Sequence, residues 1–155
     1  MTIGASALSL LAALLQPAKP ACQILTIPEV ARVVRVAVTI DQNQSGPGDN
    51  GWDFCAWKTP DGHFVILGVG RKESVAAAHA EFASELVSAF GGGPEANAIP
   101  ALADEAQYRD YAGGNLKGGV VVVRSGMVVF TMEAPTSRDD VLTLARLVLS
   151  RMRSH

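Results

Sequence analysis

The spacing of apolar residues changes period along the chain, and each change predicts an element. Ala5 to Leu15 is a continuous apolar run, too all-round for a surface helix and shorter than the roughly 20 residues of a membrane span. Thr26-Ile27-Pro28-Glu29 reads as a capping box, with the Thr26 hydroxyl placed for the Glu29 amide and the Glu29 carboxylate for the Thr26 amide. Leu25 and Val30 occupy the staple positions, Pro28 is tolerated in a first turn, and the helix is predicted to run to about Arg35. The β-branched stretch Val36 to Ile40 predicts a short strand, and Asp41 to Gly51 a polar, glycine-containing loop. Trp52 to Lys58 alternates, Thr59-Pro60-Asp61-Gly62 turns, and His63 to Val69 is strongly apolar. These two strands are expected to form a hairpin whose second member is covered on both faces.

Ser74 to Phe90 repeats at helical spacing, with Val75, His79, Phe82, Leu86 and Phe90 as its predicted apolar stripe. Lys72, Glu73, Glu81 and Glu85 are expected to face away, and Gly91-Gly92-Gly93-Pro94 to end the helix. Ala106 to Tyr111 predicts a strand. Val120 to Arg124 and Met127 to Met132 predict a hairpin turning at Ser125-Gly126. Ser137 is placed to cap a last helix that runs to about Met152, with Asp139 and Asp140 in its first turn and Arg146, Arg151 and Arg153 suiting its C-terminal end. The order predicts an α+β domain: an antiparallel sheet of about five to six strands in hairpins, with two to three helices packed on it and one disulfide.

Composition narrows the class. Hydrophobic residues make up 48% of the 155 and aromatics 6%, so a core of Val, Leu, Ala and Ile is expected. A net charge of −2 gives no basic surplus for nucleic acid, and no nucleic-acid partner is expected.

The uncharged opening reads as an export signal over residues 1–18, with cleavage near Ala18 and a single domain over 19–155. No Lys or Arg precedes the apolar run, so the basic n-region is missing, through a weak signal or an upstream start. Lys19-Pro20 fits badly before a lipidated Cys22, so a lipid-anchored form is not expected. Two cysteines, Cys22 and Cys55, in an exported chain favour a disulfide over two buried thiols. Closing about 33 residues, it would contribute roughly 3.5–4 kcal/mol on the chain-entropy model.

Motifs for chemistry are sparse. There is no Gly-x-Ser-x-Gly elbow. Gly68-Val69-Gly70 lacks the third glycine of a dinucleotide loop, and close packing at a strand end explains it better. His79-Ala80-Glu81 lacks the Pro-Cys-x-x-Cys of a zinc deaminase, and His63 and His155 lie elsewhere, so no transition-metal site and no cofactor is expected. Asp41, Asn43, Ser45 and Asp49 follow the first ligand spacings of a calcium loop, but Trp52 replaces its bidentate Glu. Trp52 and Trp57 fall on opposite strand faces by parity. One is expected in the core and the other at a contact surface. Asp104 and Glu105 are neighbours on an extended chain and are expected to point apart.

Four segments together resemble a known pattern: Cys22-Gln-Ile-Leu-Thr-Ile-Pro-Glu-Val, Cys55-Ala-Trp57, Ala103-Asp104-Glu105-Ala106-Gln-Tyr108, and the Val-Val-Val-Arg-Ser-Gly-Met-Val-Val hairpin. The order is similar to that of a family of small bacterial exported proteins and lipoproteins of unknown function. Its members open with Cys-x-Leu-Leu-Thr-x-x-Glu, continue with Cys-x-Tyr/Trp and Gly-Asp-Glu-Ala, and show a strand, Arg/Lys-x-Gly, strand hairpin. Ala103 stands where that family has Gly, which alters the turn expected there. The resemblance implies export and a Cys22–Cys55 bond, and no reaction.

The expectation is an exported, non-catalytic binding or interaction module of the bacterial envelope. It would be monomeric, with an unknown protein or small-molecule partner and no transmembrane span in the mature chain. The alternative is a secreted hydrolase with a site assembled from residues such as His79, Asp104 and Ser125. A regulatory partner of another secreted protein is a third reading.

Overall fold

The computed structural model describes residues 18–90, 97–111 and 116–153. The expected signal segment up to Pro17, the helix-ending glycines and His155 lie outside the described residues. The strands are β1 (Thr39–Ile40), β2 (Gly46–Pro47), β3 (Trp52–Lys58), β4 (Phe64–Arg71), β5 (Asn97–Ala98), β6 (Glu105–Asp110), β7 (Gly119–Ser125) and β8 (Val128–Ala134). The helices are α1 (Ile27–Val34), α2 (Val75–Phe90) and α3 (Arg138–Arg153). One antiparallel sheet runs in the order β1-β3-β4-β8-β7-β6-β5, with β2 also paired to β3.

This is the α+β architecture expected, but the sheet has eight strands rather than five to six. The additional strands include β2, two residues inside the segment Asp41 to Gly51 read as a loop, and β5, also of two residues. Two residues carry no alternation to read. They pair because the outer edges of β3 and β6 otherwise present unpartnered backbone groups. The hairpin turn between β7 and β8 sits at Gly126-Met127, one residue later than predicted, with Ser125 paired to Val128 and Gly126 at φ 59°.

Helix ends follow the local chemistry. The Thr26–Glu29 capping box is formed in both directions, and Leu25 and Val30 are fully buried beneath it. The Ser137 hydroxyl accepts from the Asp140 amide at 3.2 Å and starts α3. Val36 to Val38 are not strand, and pairing begins at Thr39 after Arg35 reverses the chain at φ 61°.

Strand parity divides the molecule into two layers. On one face, Trp57, Val65, Leu67, Val121, Phe130 and Met132 are fully buried against α1 and α3. Arg151 pairs with Glu29 at one end of these antiparallel helices, and Arg35 with Asp140 at 2.7 Å at the other. On the opposite face, α2 covers Trp52, Val122 and Val129 with Ala78 and Phe82.

The predicted stripe of α2 is displaced. Ala78 is fully buried, whereas Val75 is 54% exposed and His79 faces solvent. A small side chain lets the helix sit close over β7, and alanine gives no signal in a search for large apolar residues. Phe90's side chain lies outside the described residues.

The N-terminal segment is tied down by three bonds. Cys22 and Cys55 form a disulfide. The Ala21 amide donates to Asp53, and the Arg71 guanidinium donates to the Lys19 carbonyl at 2.9 Å. Among the described residues no helix is long and apolar enough to cross a membrane.

Candidate functional site

The acidic pair at the start of β6 does not diverge as the local backbone suggested. Asp104 lies in the turn before the strand, and Glu105 is its first residue. Both carboxylates converge on Arg124 of β7: Glu105 meets its Nε, and Asp104 lies 3.4 Å from Nη1. Asp104 also accepts the Gly126 amide at 2.7 Å. Register places Glu105 opposite Arg124, so the cross-strand pair is a consequence of the ladder.

From α2, His79 brings Nδ1 to 2.9 Å from Glu105. Burial pushes the Glu105 carboxyl up, but hydrogen bonds from Arg124 and His79 outweigh it and hold the group below the usual carboxylate range. An ionised, twice-engaged carboxylate is a poor proton acceptor and a good anchor for a side chain.

Beside this network lies an open groove of about 260 Å³ between Phe82 and the Ala98–Gln107 segment. Ile99, Ala103 and Ala106 contribute apolar lining, and Asp104 and Glu105 the charged groups. Ala101, also on the groove, has φ 62°. For a residue with a Cβ this left-handed conformation costs about 1–2 kcal/mol.

The hydrolase alternative named His79, Asp104 and Ser125. The fold joins His79 and Asp104 through Glu105 and Arg124. Ser125 alternates onto the opposite face of β7, away from Glu105 and Arg124. Sequence reasoning missed Glu105 and Arg124 as partners. An acidic residue at the start of one strand and an arginine at the end of the next was the available signal, but it acquires meaning only with register.

A second polar cluster holds α2 to the sheet. Trp52 Nε1 donates to Glu81 at 2.8 Å, and Lys72 Nζ lies 3.0 Å from the same carboxylate. The Lys72 side chain, only 9% exposed, also donates to the Asn50 carbonyl and lies 5.9 Å from the Trp52 ring centroid. Thus Lys72 and Glu81 do not simply face away: they meet over the indole.

Trp52 is 8% exposed and Trp57 fully buried, so neither offers the contact surface expected of one of them. Trp52 is covered because α2 lies across it. It stacks on Phe54, and the two rings lie over Gly70 and Gly68, where an added Cβ would come within 2.9 and 2.8 Å of ring carbons. The Gly68-Val69-Gly70 pattern therefore serves packing. Trp57 Nε1 has no hydrogen-bond partner among the described residues.

The calcium-like loop uses its own ligands. Asp41 accepts the Asn43 amide at 2.9 Å, and the Ser45 hydroxyl donates to the Asp41 carbonyl and accepts the Ala56 amide. Strands β1 and β3, rather than helices, flank it. His63 lies 3.9 Å from Asp61 in the exposed β3–β4 turn. No group of three or more His, Cys, Asp or Glu placed to hold a metal occurs among the described residues.

No family model matches the chain, and no curated protein matches it significantly.

Proposed function

We propose that the chain is an exported, non-catalytic binding module of the bacterial envelope, with the groove between α2 and the Ala98–Gln107 segment as its binding site. The observation that carries this reading is the groove's chemistry. It combines open apolar lining with carboxylates already engaged by Arg124 and His79. Such a site can gain free energy by burying apolar ligand surface, while its acids are occupied in holding the wall. Export is supported by the Cys22–Cys55 bond and by docking of the chain from Lys19 onward, next to the expected cleavage at Ala18. Membership of the small exported family is part of the same proposal.

The His79–Glu105 pair favours the hydrolase as second reading, because a carboxylate on Nδ1 is how a catalytic histidine is oriented. The test is a panel of chromogenic ester, phosphoester, glycoside and peptide substrates, together with a photo-crosslinking residue at Ala101 or, as control, at His63 in the exposed β3–β4 turn. No turnover, and adducts in the native host from position 101 alone, are expected. Turnover abolished by His79→Ala would establish the hydrolase instead. Equal labelling from both positions, or none, would remove the groove as the binding site.

A further inference from the structure

The geometry points to a second contact surface: the solvent face of α1 and α3 docks on an anionic phospholipid bilayer. Two ion pairs clamp the ends of this helix pair, Glu29–Arg151 and Arg35–Asp140. Away from the clamps, α1 carries Arg32, and α3 carries Arg146 on the flank turned from α1. Arg153 follows Arg146 two turns on, about 10 Å along the helix. All three are exposed, and none makes a hydrogen bond or ion pair among the described residues.

The charge is segregated. Residues 26–36 and 136–153 hold six arginines against three carboxylates, a balance of +3 in a chain whose net charge is −2. Helix α2, on the other face, carries Glu81 and Glu85 and no lysine or arginine. The basic layer contains no lysine at all. A guanidinium fork binds phosphate oxygens bidentately, which an ammonium does not. Ile27 and Val36, 41% and 44% exposed, flank α1 at its two ends. An exposed layer rich in arginine, with these two aliphatic side chains beside it, matches the chemistry of a lipid headgroup layer: phosphates meet the forks, and the aliphatic side chains enter the interface.

This inference rests on the export reading only for which membrane the protein meets. The test is co-sedimentation with vesicles of equimolar phosphatidylglycerol and phosphatidylcholine, and with phosphatidylcholine alone. Intact mass fixes the N-terminus of the protein used, so failure of the export reading is seen separately. An uncleaved apolar leader would bind both vesicles alike, and the arginine effect is still read as the difference between variants. Binding to the anionic vesicles, released by high salt, is expected. Each basic residue near such a surface contributes about fivefold, so Arg32→Gln with Arg146→Gln should weaken binding about 25-fold. Arg32→Gln alone should weaken it about fivefold, and Lys58→Gln, the same charge change on β3, should leave it unchanged. Equal loss in these two single variants, no preference for anionic vesicles, or no binding would overturn the proposal. So would arginine-dependent binding of inorganic phosphate without vesicle binding, which would assign the arginines to a soluble anion. Neither arginine has a partner among the described residues, so unchanged circular dichroism and Tm are expected of the variants.

Discussion

Among the described residues, the buried cluster on the α1/α3 face of the sheet contains 24 residues, and the one under α2 contains five. The first is filled by branched aliphatic and aromatic side chains and tied by the disulfide. The second rests on Ala78 and Phe82 and on a polar latch in which Trp52 and Lys72 hold Glu81. The contrast teaches where rigidity is placed. The deep layer supplies global stability, whereas the groove and the His79–Glu105 contact sit at the margin of the shallow one. Local opening is cheapest where few apolar contacts hold an element, and binding surfaces are drawn from such places.

The sharpest test of that contrast deletes one ring on each side. Phe130→Ala should destabilise the protein by about 3–5 kcal/mol. Phe82→Ala should cost less, because the neighbouring groove lets the site relax. Equal losses in urea unfolding would erase the distinction. Next in size, Cys22→Ala with Cys55→Ala should cost roughly 3.5–4 kcal/mol and lower the slowest exchange protection throughout the α1/α3 layer.

Glu81→Gln should cost about 1–3 kcal/mol, since it leaves the nearly buried Lys72 without a charged partner. Hydrogen exchange should show the loss first in α2. This residue also sets a pH dependence. Burial raises the Glu81 carboxyl, but hydrogen bonds from Trp52 and Lys72 prevail and depress it below the usual 4.5. A depressed folded value means stability that is fully present above 4.5 and lost as pH falls through the lower folded value. Acid unfolding of α2 should therefore be shallower in Glu81→Gln; an unchanged profile would show that the latch carries no such linkage. The smallest effect has the opposite sign. Burial, then the neighbouring Glu81, raises the Glu85 carboxyl. Glu85→Gln removes an i, i+4 like-charge pair and should stabilise α2 by about 0.2–0.5 kcal/mol, read as a rise in Tm.

Elements whose cause is local were legible in the sequence. The Thr26–Glu29 box, the Ser137 cap, the β3–β4 hairpin and the opposite faces of Trp52 and Trp57 all appear as read. What was misread depends on partners distant in the chain. Lys72 and Glu81 looked like a solvated helix face until Trp52, 20 residues before Lys72, was laid beneath them. Asp104 and Glu105 looked divergent until β7 brought Arg124 to both. Arg32 and Arg146 are 114 positions apart, and no pattern along the chain connects them.

The sequence by itself determined the class of fold, the two faces of each long strand, the helix starts and the pairing of its only two cysteines. Period, capping and cysteine number are properties of a few neighbouring residues and survive without knowledge of the rest. The tertiary structure alone decided which polar groups meet and which strand edges the two-residue strands cover. It also decided that Trp52 is roofed by α2 and that Arg35 at the end of α1 meets Asp140 of α3. Those outcomes depend on register and helix placement, which the whole core sets at once.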